Sequence, residues 1–153
     1  MTTHTAPGHL SVSACWQHLR TTDIGRLAVL VEGDVDIFPV NYTVDHGCII
    51  VRTAGGTKLS WALAGPPVAF ETDGHDSDER RFWSVVLKGR AEELTDLDER
   101  LSAGDLPLMP RHGGPKHRFL RIVPGTVTGR RFESAQHEHW HDPLAEARGR
   151  TVR

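Results

Sequence analysis

Ile37-Phe38-Pro39-Val40-Asn41-Tyr42-Thr43-Val44, Asp45-His46-Gly47 and Cys48-Ile49-Ile50-Val51-Arg52-Thr53 follow one another without a break. Two β-branched and aromatic runs separated by a short turn sequence read as an antiparallel hairpin. Leu27-Ala28-Val29-Leu30-Val31 stands before them, bounded by Gly25 and by the turn pair Gly33-Asp34. Three strands joined by two tight turns make a meander. Pro39 restricts how that meander is used, because proline cannot donate to a ladder. It belongs at a barrel edge, a bulge or a ligand-facing kink rather than in mid-sheet.

Working outward, residues 1–10 lack periodicity and read as an N-terminal tail. Ser11 is a natural N-cap for a short helix with Val12, Cys15, Trp16 and Leu19 as its apolar positions. Downstream, a helix over 58–64 should stop at Gly65-Pro66-Pro67. Val68–Thr72 reads as a fourth strand, 73–81 as a charged loop and Phe82–Arg90 as a long fifth strand. A polar helix around Asp96–Ala103 leads into Leu106–Pro110. Arg118–Val123 and Thr126–Phe132 read as two further strands around Pro124-Gly125. The expectation is one mainly β domain over 11–132, with a polar, His-rich tail over 133–153. Six or seven strands with short helices and short connections favour a small antiparallel barrel over a βαβ sheet.

Composition narrows the function classes. The chain of 153 residues carries 18 Lys+Arg against 20 Asp+Glu, a near balance that points to neither nucleic acid nor an anionic membrane as partner. Cys15 and Cys48 offer no disulfide framework and no metal-ligand spacing. With no basic-apolar leader pattern and no run approaching a membrane span, a cytoplasmic location is expected.

The chemistry concentrates where the meander ends. In Arg52-Thr53-Ala54-Gly55-Gly56-Thr57-Lys58 a strand closes on a cation and a hydroxyl, two glycines expose backbone N–H groups, and a second hydroxyl and cation open a helix. Arg as a planar fork, Lys as a point charge and backbone donors suit a phosphate monoester. The Walker spacing is absent. Taken by spacing alone, the segment reads as an ordinary glycine turn with exposed charges rather than as a ligand site.

Five pieces carry a resemblance: Ile24-Gly25-Arg26-Leu27-Ala28, Ile37 to Tyr42, Arg52 to Lys58, Trp83 to Arg90, and Phe119 to Phe132. In this order they resemble the pyridoxamine 5′-phosphate oxidase-like flavin-binding split barrels, in the branch common among actinobacteria. The resemblance implies a homodimeric six-stranded split barrel with two flavin sites, each built by both subunits. Members bind FMN; some relatives use the deazaflavin coenzyme and some bind haem. It assigns the cofactor phosphate to Arg52, Thr53, Thr57 and Lys58, and the ring-facing strand to Pro39, Val40, Asn41 and Tyr42. Trp83 would lie near the cofactor or the dimer seam. Haem would want an axial His in an apolar pocket, whereas the ten histidines mostly sit in polar surroundings.

The function this implies is an FMN-dependent oxidoreductase acting on an unidentified small-molecule substrate or electron donor. A deazaflavin-dependent reductase and a non-enzymatic flavin or haem carrier or sensor are the alternatives. No residue stands out as a general acid, and no basic cluster for a substrate phosphate is found. His137-Glu138-His139-Trp140-His141 departs from the zinc-protease spacing and reads as a solvated tract, so no metal site is expected. His112 and Lys116 are candidates for substrate contact through the resemblance.

Overall fold

Ser11 caps the first helix, as the sequence suggests. Its hydroxyl accepts from the Ala14 N–H at 3.1 Å and caps α1 (Val12–Leu19), which buries Cys15 and Leu19. The computed structural model describes residues 8–53, 56–76, 80–94 and 118–133, with the backbone alone for Thr57 and Lys58. The expected helix at 96–103, the Leu106–Pro110 run, the His112–His117 loop, residues 1–7 and the tail beyond Glu133 lie outside the described residues.

The meander forms as β1 (Ile24–Val31), β2 (Asp34–Asp45) and β3 (Cys48–Thr53). Both hairpins turn on two residues of positive φ: Glu32 and Gly33 (51° and 86°), then His46 and Gly47 (47° and 71°). Such paired left-handed residues give the turn whose twist matches that of the flanking strands. After α2 (Thr57–Ala62) come β4 (Val68–His75), β5 (Arg81–Glu93) and β6 (Arg118–Glu133). The six strands close into an antiparallel barrel in the order β1-β2-β3-β6-β5-β4, with β4 returning to β1.

Two expected strands around Pro124-Gly125 are instead one. β6 pairs with β5 along its whole length, and a register shift at Lys88/Gly89 lets Gly125 stand out of the ladder as a bulge. The reason is spatial: a Cβ on Gly89 would press into the Val123 carbonyl, so only glycine admits the bulged backbone. Residues Gly8 to Leu10, expected within the N-terminal tail, also join the sheet. Leu10 N–H donates to Gly129 O at 2.9 Å and Arg131 N–H to Gly8 O at 2.7 Å, which occupies part of the edge of β6.

Strand alternation sorts the side chains. Leu27 and Val29, Val40 and Tyr42, Ile49 and Val51, Val68 and Phe70, Trp83, Val85 and Leu87, and Leu120 and Ile122 face inward as one core. Leu59 and Ala62 of α2 join it, as do Cys15 and Leu19 of α1. Ile50, Leu94 and Phe119 make a second, smaller cluster on the outside of β3 and β6.

A buried polar knot ties α1 to the barrel. Tyr42 Oη donates to Leu19 O at 2.7 Å and shares a short hydrogen bond with Thr22 Oγ1. Thr22 Oγ1 lies 3.1 Å from Thr72 Oγ1, which donates to Ile24 O at 3.0 Å. Burial raises the Tyr42 phenol above its ordinary value, so it stays a neutral donor. Tyr42→Phe should therefore cost about 1–3 kcal/mol, the penalty for leaving buried groups unpaired. Urea unfolding checks this, and an unchanged midpoint would show the knot to be energetically idle.

Candidate functional site

The β2–β3 ladder begins at Asn41 opposite Arg52 and runs to Asp45 opposite Cys48. Residues 34–40 of β2 pair with β1 only. Tyr42 N–H donates across to Asp23 O at 2.9 Å, so alternation sends the N–H groups of Val40 and Phe38 toward β1. Position 39 faces the other way, where β3 has ended. Proline thus sits where the missing N–H has no ladder to serve, and the barrel is split on that side of β2.

Register then gathers the outward-facing side chains into a row. Ile24 of β1, Asn41 of β2, Arg52 of β3 and Phe119 of β6 are successive partners across four strands. Pro39 is two residues along from Asn41 on the same face, opposite Arg26. Pro39 and Asn41 are exposed, Arg52 and Thr53 half-buried and Phe119 buried. One residue past Arg52, Thr53 lies opposite Arg118, whose guanidinium grips Glu93 at 2.6 and 2.8 Å. Beyond Thr53 the chain reaches Gly56, whose φ of 119° and ψ of −173° belong to glycine alone, and then enters α2.

Of the nine residues named from sequence, the structure therefore brings Pro39, Asn41 and Arg52 onto one outer face, with Thr53 at the barrel rim beside it. Val40 and Tyr42 alternate to the inside and are buried in the core, as is Trp83. The backbones of Thr57 and Lys58 form the first turn of α2. Sequence reasoning missed Ile24 and Phe119 as the ends of the row. It also missed that Asn41 and Arg52 would be neighbours, although the two are equidistant from the His46-Gly47 turn and a two-residue hairpin forces that pairing.

The surroundings of the row are apolar on one side and charged on the other. Ala28 opposite Ile37, and Leu30 opposite Val35, continue the outer face of β1 and β2. Val35 is 72% and Ile37 62% exposed, which leaves a broad apolar surface beside the site. Across β1, Arg26 Nη1 reaches Glu71 Oε2 at 3.3 Å and Asp73 Oδ1 at 3.5 Å. Burial raises the Glu71 carboxyl above its ordinary value, and the neighbouring Asp73 adds to the effect against the pull of Arg26. Among the described residues no group of three or more His, Cys, Asp or Glu could hold a metal ion.

Trp83 serves as the bed for α1. The His18 ring stacks on it with centroids 4.5 Å apart and planes 20° from parallel. Burial lowers the His18 pKa from its ordinary value near 6.5, Arg131 lowers it further, and Asp76 opposes them. The folded chain thus binds fewer protons than the unfolded one just below that value, so stability falls as pH drops through about 6.5. A thermal melt at pH 7.5 and at pH 5.5 should show the loss, and His18→Gln should reduce it. Equal pH dependence in the two proteins would rule His18 out as its source.

The sequence profile of the family described as pyridoxamine 5′-phosphate oxidase matches residues 11–131. The uncharacterized Mycobacterium tuberculosis protein Rv0080 is 35% identical over 119 residues, covering 74% of this chain and 78% of that protein. Among solved structures, the FAD binding protein from Mycobacterium smegmatis is 34% identical with a TM-score of 0.71, covering 83% of this chain and 99% of that one. A FAD-binding protein from Mesorhizobium loti is 29% identical with a TM-score of 0.64, covering 83% and 97%. No described helix is long and apolar enough to cross a membrane. The match runs from Ser11, the cap of α1, to Arg131 near the end of β6, and the chain belongs to the pyridoxamine 5′-phosphate oxidase-like family of flavin-binding split barrels.

Proposed function

We propose that the chain binds a flavin on the outer face at the split of the barrel and acts as a cytoplasmic flavin-dependent oxidoreductase. The observation that carries this reading is the register of Asn41 opposite Arg52 beside the Gly56 turn. An amide, a guanidinium and a glycine-bounded turn stand together at the one place where β2 and β3 part. Arg52, with Thr53, Thr57 and Lys58 following in the chain, would hold the phosphate; Asn41 would pair the polar edge of the ring and Pro39 supply a flat apolar contact. Val40 and Tyr42 would act from behind, fixing the strand that carries both.

When bound, the flavin supplies hydride and electron transfer, and the protein supplies its position and surroundings. Among the described residues Pro39 and Asn41 are exposed, and the exposed Ile24, Leu30, Val35 and Ile37 lie on the same face. A second copy covering that surface would bury them and exclude water from the ring, which supports a homodimer.

FMN and FAD share the ring, the ribityl chain and the first phosphate, so the same residues serve either. The names of the Mycobacterium smegmatis and Mesorhizobium loti relatives favour FAD. Heat-released ligand from the purified protein, chromatographed against FMN, FAD and the deazaflavin coenzyme, identifies the cofactor. Anaerobic reduction by NAD(P)H, followed by a screen of acceptors, then separates an oxidoreductase from a carrier. Failure of both FMN and FAD to bind at micromolar concentration would end the proposal.

A further inference from the structure

At the end of the barrel where β4 finishes and β5 begins, three rings line up on the outside. His75 of β4 is opposite Phe82 of β5, and Phe82 is opposite Phe132 of β6. His75 meets Phe82 edge-on at 4.2 Å between centroids, and Phe82 and Phe132 stack at 5.6 Å with planes 14° apart. Phe132 remains 53% exposed. Three adjacent strands span roughly 10 Å, the width of one bicyclic aromatic and far less than a folded partner needs.

The charges around the row are asymmetric. Among the described residues, Asp73 lies 3.5 Å from Arg26 Nη1, Asp76 lies 3.6 Å from Arg131 Nε, and Glu133 stands opposite Arg81. Arg130 stands in the next row, opposite Ser84 and two residues from Phe132 on the same face. Arg81, opposite Glu133, borders the row on β5. Among the described residues neither Arg81 nor Arg130 is held in an ion pair. Ring faces beside a guanidinium without a carboxylate are what a planar aromatic bearing a negative group requires.

We propose that His75, Phe82 and Phe132, with Arg130, form a second binding site, for a planar aromatic anion of the nucleotide class. The ring system lies on the exposed side of Phe132, extending the stack that His75 and Phe82 begin, and the anionic group reaches Arg130. This site involves none of the residues assigned to the flavin, and it stands or falls independently of that reading.

The test is a titration of the protein as purified with adenosine 5′-monophosphate, followed by amide chemical shifts. Saturable shifts should centre on residues 75, 82, 130 and 132, with adenosine alone and inorganic phosphate alone each binding about tenfold more weakly. Phe132→Leu keeps an apolar side chain but loses the ring, and should weaken binding about tenfold; Arg130→Gln should do the same. Repeating the titration with Arg52→Ala should leave the nucleotide affinity unchanged. Absence of saturation at 10 mM, or affinity unaltered in both variants, would overturn the site. So would a lower sedimentation coefficient in Phe132→Leu, which would show that a second copy covers the row.

Discussion

Arg52→Ala should lower flavin affinity by about 10- to 100-fold while leaving the melting temperature close to that of the parent. A hydrogen bond to a charged group contributes about 1.5–3 kcal/mol, and each 1.4 kcal/mol is a factor of ten in affinity. Arg52 faces outward at the last but one position of β3, so its loss removes no core volume. Arg52→Lys should recover part of the affinity, because a point charge replaces the planar fork without its paired donors. Fluorescence quenching on titration with FMN and FAD measures all three proteins. A change smaller than twofold in Arg52→Ala would place the phosphate elsewhere.

Gly25→Val should destabilise the fold by about 1–3 kcal/mol or more, the cost of overpacking a filled interior. Gly25 lies on the inner face of β1, where a Cβ would meet the end of the Phe70 ring and come within 2.9 Å of Glu71 O. Phe70 cannot yield easily, since it is fully buried and sits edge-on against Tyr42 at 4.8 Å. Tyr42 in turn carries the hydrogen-bond knot that fixes β2 next to Asn41. Phe70→Leu introduced into Gly25→Val should restore part of the loss, a coupling that urea titration of the two single variants and the double variant would reveal. Strict additivity would place the strain on the Glu71 backbone instead.

Much of the barrel was legible in the sequence because its signals are local. Gly33 and Gly47 mark two-residue turns, Ser11 marks a cap and Pro66-Pro67 forbids a longer α2. The β-branched runs between them need no tertiary information to be recognised as strands. What local pattern could not supply was pairing between distant segments. Nothing around Ala69 announces that β4 closes on Ala28 of β1, and nothing in Gly8-His9-Leu10 announces an edge partner on β6.

The candidate site shows the same division. Pro39, Asn41 and Arg52 were identified from residue type and family order, and alternation explains why they share a face. Val40 and Tyr42 were grouped with them because the resemblance assigned the strand as a whole. In a strand, adjacency means opposite faces, so the period of two separates neighbours that sequence reading joins. Trp83 illustrates the complementary case: a ring of this size on a long strand is a natural platform, and here the platform faces α1 and His18.

The bulge at Gly125 sets the phase of everything that follows it on β6. Before it, Leu120 and Ile122 are the inward residues; after it, the inward positions are Val127, Gly129 and Arg131, opposite Leu87, Val85 and Trp83. Even numbers point in on one side of the bulge and odd numbers on the other. Deleting that single glycine would leave the composition of the strand almost untouched yet invert its far half, turning Arg130 and Phe132 inward and Gly129 outward. The chain thus keeps in one residue a parity bit for its whole last strand. Length variation near residue 125 rewrites which chemistry the barrel shows to its surroundings, whereas substitution there only alters the fit.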